Sequence, residues 1–115
     1  MSENSNFSGT SANSYSQALY ELSVENNCLD IIEEQVSAVL QLVSESKDFN
    51  LLIKDPTSKK EDQLEIINII CEKFNFNDLF KKFLNFLIIK RRMFYVKKIL
   101  QDFLMICSRK RGEVL

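Results

Sequence analysis

The chain has 115 residues, 45% of them apolar, and a formal net charge of −1. This length and apolar share suit one packed domain, and the chain is too short for two ordinary domains. It contains no His and no glycine-rich phosphate loop, so Ser–His–Asp and Cys–His catalysis are excluded and we expect neither an enzyme nor a cofactor. Its three cysteines form no CxxC pair, which argues against a zinc ribbon or disulfide scaffold and favours buried free thiols in a reducing compartment.

Charge and polarity are unevenly distributed. Residues 1–55 hold two Lys against nine acidic residues, whereas residues 56–115 hold thirteen basic against seven acidic residues. The polar start, MSENSNFSGTSAN, predicts a flexible tail over residues 1–11, and it lacks the cationic and apolar parts of a secretory signal. No apolar run approaches the ~20 residues of a membrane-spanning helix, so we expect no direct membrane insertion.

Helical periodicity runs through the rest of the chain. The two glycines, Gly9 and Gly112, lie near its ends, and turn-forming residues are scarce between them. We therefore expect an all-α fold, a compact six-helix bundle over residues 12–109. The first helix is predicted from Ala12 to Asn26, and its apolar stripe consists of Tyr15, Leu19 and Leu22 with the small Ala18 beside them.

The next three helices are predicted in the same way. The second runs from Cys28 to Ser44 with Asn27 as its N-cap, and its stripe is Leu29, Ile32, Val36, Val39, Leu40 and Val43. A short third helix, KDFNLLIKD, offers Phe49, Leu52 and Ile53. The fourth begins after the single proline, where Ser58 and Glu61 have the spacing of a capping box, and it directs inward Leu64, Ile67, Ile70, Cys71 and Phe74.

The fifth predicted helix, capped by Asn77 and Asp78 and ending near Lys90, is apolar on more than one side. One stripe consists of Phe80, Leu84, Leu87 and Ile88, and a second, rotated stripe consists of Phe83, Phe86 and Ile89 with Leu79 beside them. A single stripe suffices to hold a helix on a small bundle. Two interpretations remain open: a central helix wrapped by the others, or an outward second stripe that receives a partner's amphipathic helix.

The sixth predicted helix covers Met93 to Arg109 and directs inward Phe94, Val96, Leu100, Phe103, Leu104 and Cys107. Residues 90–111 hold eight basic residues and one acidic residue, which keeps open an alternative function, a small basic helical nucleic-acid-binding protein. These charges fall at two helix ends and on one middle face rather than along a single stripe, so protein docking is the preferred interpretation.

Two motifs, in order, resemble the family of the ATP synthase delta subunit, called the oligomycin-sensitivity-conferring protein in mitochondria. SYSQALYELSVENN is similar to the family's opening, Tyr-x-x-Ala-Leu-aromatic-x-Leu-Ala, with Ser23 in place of the small apolar residue and matches at Tyr15, Ala18, Leu19, Tyr20 and Leu22. FLNFLIIKRRMFYVKKILQDF resembles a later segment, with Lys90 in place of Asn, Met93 in place of Leu, and matches at Phe83, Leu84, Leu87, Arg92, Ile99 and Phe103.

The resemblance implies a role as well as a fold. It implies a non-catalytic stator domain on top of the catalytic head, at the cytoplasmic face of the bacterial inner membrane, with no nucleic-acid partner. The domain would receive the N-terminal helix of an alpha subunit in a groove between the first and fifth helices, and would hold the head against rotation during ATP synthesis. The implied partner-binding residues are Tyr15, Ala18, Leu19 and Leu22 on one wall, and Lys82, Phe83, Phe86 and Ile89 on the other.

The end of the chain, RKRGEV, resembles the family's junction into a second domain, so residues 110–115 are expected to begin that junction. In the family, the second domain contacts the b subunits of the peripheral stalk. This chain stops at Leu115, as a fragment or a naturally shortened subunit. Stalk binding is therefore expected only where the C-terminal domain is present.

Overall fold

The computed structural model describes the backbone of residues 2–114 and the side chains of residues 12–112. Its elements are α1 (Ser2–Glu25), α2 (Leu29–Glu45), α3 (Lys47–Lys54), α4 (Lys60–Lys73), α5 (Asp78–Ile89), a 3-10 turn (Met93–Tyr95) and α6 (Val96–Val114). The predicted all-α, six-helix fold is confirmed within this range. The predicted tail over residues 1–11 and part of the predicted junction over residues 110–115 lie outside the described side chains, and both stay predictions. None of the described helices combines the length and hydropathy that a bilayer-spanning segment needs.

The packing of α1 against α6 uses small side chains. Ser16, Leu19 and Ser23 form the buried face of α1, and none of them exposes any surface. The hydroxyl of Ser16 donates to the carbonyl oxygen of Ala12 at 2.6 Å and lies 3.0 Å from the carbonyl oxygen of Ile99 in α6. Because serine is short, the two backbones approach closely here. The predicted inward stripe of α1 is therefore rotated: Leu19 belongs to the core, but its neighbours in the core are serines.

The helix α5 supplies much of the core. Five of its residues are buried: Phe80, Phe83, Leu84, Leu87 and Ile88. The ring of Phe80 is fully buried, and its centre lies 5.3 Å from that of Phe76. By contrast, Phe86 and Ile89 remain 43% and 54% exposed. Both interpretations of α5 are thus partly correct, because the helix is central and one of its edges is left uncovered.

The other helices bury stripes close to those predicted, among them Ile32, Val36, Val39 and Val43 of α2 and Val96, Leu100, Phe103 and Cys107 of α6. The prediction was wrong for Phe74 and Phe94, which are 51% and 55% exposed. Phe74 is the residue that ends α4, and it stacks on Phe76 at 5.7 Å on the surface. Phe94 lies in the 3-10 turn, where the spacing of α6 does not yet apply.

Two predicted helix starts are wrong in detail. Asn27 does not cap α2, because it has a left-handed backbone (φ 55°) that ends α1, and the residue before α2 is Cys28. The capping box of Ser58 and Glu61 does not form, since the hydroxyl of Ser58 donates to the carbonyl oxygen of Leu52 at 2.9 Å. The backbone of Asn27 and the side chain of Ser58 therefore belong to the end of the preceding helix rather than to the start of the following one.

We predict that two phenylalanines which look alike in the sequence differ strongly in their contribution to stability. Phe80→Ala should lower the free energy of unfolding by about 3–5 kcal/mol, because it opens a cavity in the core. Phe94→Ala should cost about 1 kcal/mol or less, because more than half of that side chain is already in water. Urea unfolding of the two variants measures both values, and equal losses would contradict the packing described above.

Candidate functional site

An open groove of about 800 Å³ lies between α1 and α5. Six of the eight residues predicted for partner binding line it: Tyr15, Ala18, Leu22, Lys82, Phe83 and Phe86. These residues come from two segments that are more than fifty positions apart in the sequence. The fold therefore brings the two predicted walls face to face.

The α1 wall follows from the way α1 packs on α6. With Ser16, Leu19 and Ser23 turned into the core, the adjacent face of α1 is directed toward α5. Leu22, 43% exposed, offers an apolar surface on this face. Ala18 lies between Tyr15 and Leu22 and is also exposed. Because its side chain is a single methyl group, an incoming helix could approach the α1 backbone closely there.

The α5 wall is aromatic. Phe83 is nearly buried and forms the base of the wall, whereas Phe86 is partly exposed. The ring centre of Phe86 lies 6.0 Å from that of Tyr15 across the groove, at 66°. The ammonium of Lys90 lies 5.7 Å from the centre of the same ring. Phe86 is thus held between an aromatic edge and a cation, which favours one orientation of its ring.

One end of the groove is polar. Asn77 caps α5 as predicted, since its side-chain oxygen accepts a hydrogen bond from the backbone N–H of Leu79 at 2.8 Å. Its own backbone N–H donates to the side chain of Gln35 at 2.9 Å. Asp78 and Lys82 form an exposed ion pair of 3.4 Å one turn apart. The groove therefore combines an apolar middle with a polar, charged end, which suits an amphipathic occupant.

Two of the predicted residues lie elsewhere. Leu19 is fully buried against α6, and Ile89, at the end of α5, is exposed but does not line the groove. Several residues near helix ends that were not among the predicted partner-binding residues also line the groove: Asn26, Cys28, Asn77, Asp78 and Leu79. Of these, Leu79 had been predicted only as a neighbour of the second stripe of α5, four residues before Phe83. No comparable signal marked Cys28.

All three cysteines are free and buried. This confirms the prediction for Cys71 and Cys107, which are 3% and 2% exposed, and Cys28 is the most exposed of the three, at 8%. Burial raises the pKa of the Cys71 thiol. Burial raises the pKa of Cys107 to about 11, and the neighbouring negative charge of Glu33 acts in the same direction. These two thiols are therefore poor nucleophiles at neutral pH.

The described residues offer little to a metal or to a nucleic-acid backbone. Nowhere in this part of the chain do three His, Cys, Asp or Glu side chains gather as a metal site requires. Two of the eight basic residues between positions 90 and 111 are paired with carboxylates, since Lys98 lies 3.1 Å from Asp102 and Arg111 pairs with Glu33 of α2. Both cations are therefore less available to a phosphate backbone.

The chain also matches a known protein family. Residues 12–115 match the family described as "ATP synthase delta (OSCP) subunit". The chain belongs to this family. The match covers both segments that line the groove, which confirms the resemblance predicted from the motifs at positions 14–27 and 83–103.

Individual delta subunits are similar over nearly the whole chain. ATP synthase subunit delta of Pelagibacter ubique is 54% identical over 114 residues, which are 99% of this chain and 62% of that protein. The delta subunits of Brucella suis biovar 1 and Ruegeria sp. are 32% and 29% identical, each over 99% of this chain and 61% of their own length. This chain thus spans about three fifths of the curated relatives that it matches. No solved structure matches it significantly.

We predict that a thiol reagent modifies Cys28 first in the folded protein. Cys28 lines an open groove, whereas Cys71 and Cys107 are more deeply buried and their raised pKa values leave little reactive thiolate. At pH 8, a pKa of about 11 leaves about 0.1% of Cys107 as thiolate. Mass spectrometry of the labelled peptides measures the order, with the urea-unfolded protein as control. Labelling of Cys71 as fast as that of Cys28 would show that α4 is placed incorrectly.

Proposed function

We propose that this chain forms the head-binding domain of a stator subunit of an F-type, proton-translocating ATP synthase. Its groove between α1 and α5 would receive the amphipathic N-terminal helix of an alpha subunit. By tethering the catalytic head, the domain would keep the head from turning with the rotor, so that rotation drives ATP synthesis. The role is mechanical, and it needs no catalytic residue or cofactor.

The observation that carries this proposal is the groove itself. It is open and mainly apolar in its middle, and it joins Tyr15, Ala18 and Leu22 with Phe83 and Phe86 in a chain of the delta (OSCP) family. An exposed apolar groove rimmed by polar residues is the usual form of a protein-docking site. Membership of a family of ATP synthase subunits points to another subunit of that complex as the occupant.

The dimensions of the groove suit a helix. The segments from Tyr15 to Leu22 and from Leu79 to Phe86 each rise about 10 Å along their helices, so an occupant would contact the walls over about two turns. An amphipathic helix presents apolar residues at this spacing on one face. Each Leu, Ile or Phe buried in the groove would contribute about 1.5–3 kcal/mol before the cost of association is subtracted.

The proposal includes a location and a limit. As part of the synthase, the domain would lie peripherally at the cytoplasmic face of a bacterial inner membrane, carried there by the complex. Contacts with the b subunits of the stalk are proposed only where a C-terminal domain is present in the full protein.

The alternative, a basic nucleic-acid-binding protein, makes an opposite prediction for salt. Binding to phosphates weakens steeply as salt rises, whereas apolar helix docking does not. The pairing of Lys98 and Arg111 with acidic residues also leaves fewer cations for a phosphate backbone. Titration of the alpha-subunit peptide at low and high salt separates the two functions.

We predict that two changes in the groove weaken binding of a synthetic peptide with the sequence of the alpha-subunit N-terminus. Phe86→Ala removes the aromatic anchor and should cost ~2 kcal/mol or more, which is about a thirtyfold loss of affinity. Ala18→Asp places a charge against the incoming helix and should abolish measurable binding. Both variants should stay folded, because Phe86 is 43% exposed and Ala18 is on the surface. Isothermal titration calorimetry measures binding, and circular dichroism checks the fold.

The matched control for Phe86→Ala is Ile89→Ala, which truncates another exposed apolar side chain of α5, one that lies outside the groove. It should change the affinity by less than twofold. Bound peptide should also slow the labelling of Cys28, which lies in the groove. Unchanged affinity of both groove variants, or equal losses in Phe86→Ala and Ile89→Ala, would refute docking at this site.

A further inference from the structure

Three helices of this chain end in the same hydrogen-bonded motif. In each, the residue two positions beyond the helix has a left-handed backbone, and its N–H donates to a backbone carbonyl of the last helical turn. The N–H of the residue after it donates to the carbonyl that lies one position earlier in the helix. The left-handed residues are Asn27 after α1, Asn75 after α4 and Arg91 after α5, with φ of 55°, 54° and 58°. For Arg91, the bonds run from its own N–H to Ile88 at 3.0 Å and from Arg92 to Leu87 at 2.7 Å.

The left-handed backbone at position 91 is a conformation that arginine does not favour. Glycine adopts the left-handed conformation without cost, and asparagine tolerates it well, but arginine has a bulky side chain and no local hydrogen bond to compensate. The guanidinium of Arg91 does donate to the carbonyl oxygen of Ser58 at 3.2 Å, at an exposed position. This hydrogen bond is exposed to solvent, which makes it weaker than a buried one. The arginine therefore needs another explanation, and residues held in strained conformations often serve function.

The side chain of Arg91 lines a second cleft, of about 400 Å³, on a different part of the surface from the α1–α5 groove. Arg92 lines it too, together with the exposed rings of Phe94 and Tyr95. The guanidinium of Arg92 donates to the backbone carbonyls of Lys90 and Arg91, at 3.2 and 3.5 Å. Carbonyls do not neutralise a positive charge, so both arginines bring net charge to the cleft.

One acidic residue also lines the cleft. The carboxylate of Asp55 accepts hydrogen bonds from the backbone N–H and the hydroxyl of Thr57, at 2.9 and 2.7 Å, and these bonds lower its pKa. Asp55 is thus ionised at neutral pH and engaged with Thr57. The cleft keeps an excess of positive charge beside two exposed aromatic rings.

We propose that this second cleft binds a short acidic peptide segment of a partner protein, with Arg91 and Arg92 holding a carboxylate and Phe94 or Tyr95 contacting a neighbouring apolar side chain. The fork of a guanidinium matches a carboxylate, and an arginine beside aromatic rings is a frequent anchor of protein interfaces. The proposal is independent of helix docking in the α1–α5 groove, and either can fail alone.

The geometry favours a peptide over a nucleic acid. Single-stranded nucleic acids stack successive bases on aromatic faces along a continuous basic track. Here the rings of Phe94 and Tyr95 meet at 83°, so they do not offer two parallel faces to successive bases. The basic side chains that follow on α6, Lys97 and Lys98, do not line the cleft, and Lys98 is paired with Asp102.

The test uses the 115-residue chain and a fluorescein-labelled peptide of Glu residues with one Phe near each end, with binding measured by fluorescence anisotropy. Arg91→Gly should raise the urea midpoint of unfolding by about 0.5 M, because glycine relieves the left-handed backbone. The same variant should bind the peptide about tenfold more weakly, because a charge-assisted contact is lost. Asp55→Asn keeps the acceptor for Thr57 but removes the repelling charge, and it should bind more tightly.

Three controls make the result specific. Lys97→Gln removes an exposed positive charge on α6, outside the cleft, and should leave affinity within twofold of the parent. Asn75→Gly places glycine in the equivalent motif after α4 and should change neither binding nor stability much. The peptide with Gln in place of Glu should not bind.

Each contrary outcome overturns the proposal. Arg91→Gly that binds as tightly as the parent, or loses no more than Lys97→Gln, shows that the cleft is not the site. A lower urea midpoint for Arg91→Gly shows that Arg91 is a structural clamp on Ser58 rather than a binding residue. If an oligothymidine binds as tightly as the acidic peptide, and Arg91→Gly weakens that binding, the cleft binds nucleic acid instead.

Discussion

The close packing of α1 against α6 is the constraint on which the groove depends. A helix of a small domain buries one face. The buried face of α1 is rich in serine and packs on α6, where Ser16 lies near the carbonyl oxygen of Ile99. The adjacent face of α1, with Tyr15 and Leu22, is then directed toward α5, which covers these side chains only in part. If bulky residues replaced the serines, α1 would be pushed away from α6 and the groove would change shape.

The helix α5 joins the core to the groove. Its buried side, built around Phe80 and Leu84, fixes the helix in the bundle, and the same helix carries Phe83 and Phe86 into the groove wall. A wall carried on a core helix is rigid, so an incoming helix meets side chains that are already in place. A segment that is apolar on several sides can thus occur in a small domain, because one side holds the fold and another would contact the proposed partner helix.

The chain ends its helices without glycine. Asn27 and Asn75 take the left-handed positions after α1 and α4, and these residues suit that conformation. Arg91 takes the same position after α5 against local preference. The residue therefore suits the left-handed conformation at the ends of α1 and α4 but not at the end of α5. The end of α5 lies beside the cleft with exposed aromatic rings. Such conflicts between a residue and its backbone conformation are expected at functional or strained sites.

The sequence by itself determined the class of fold, the number of helices and most of the core, because apolar residues at helical spacing leave few other ways to bury them. It also determined the family, since Tyr15–Leu22 and Phe83–Phe103 carry its motifs in order. The tertiary structure alone decided how each helix is rotated. Leu19 lies in the core and Leu22 in the groove, although both belong to one predicted stripe, because the buried face of α1 runs through Ser16, Leu19 and Ser23. Periodicity is read from apolar residues alone. It does not reveal that small polar side chains, whose hydroxyls donate hydrogen bonds to backbone carbonyls, allow two helices to pack closely.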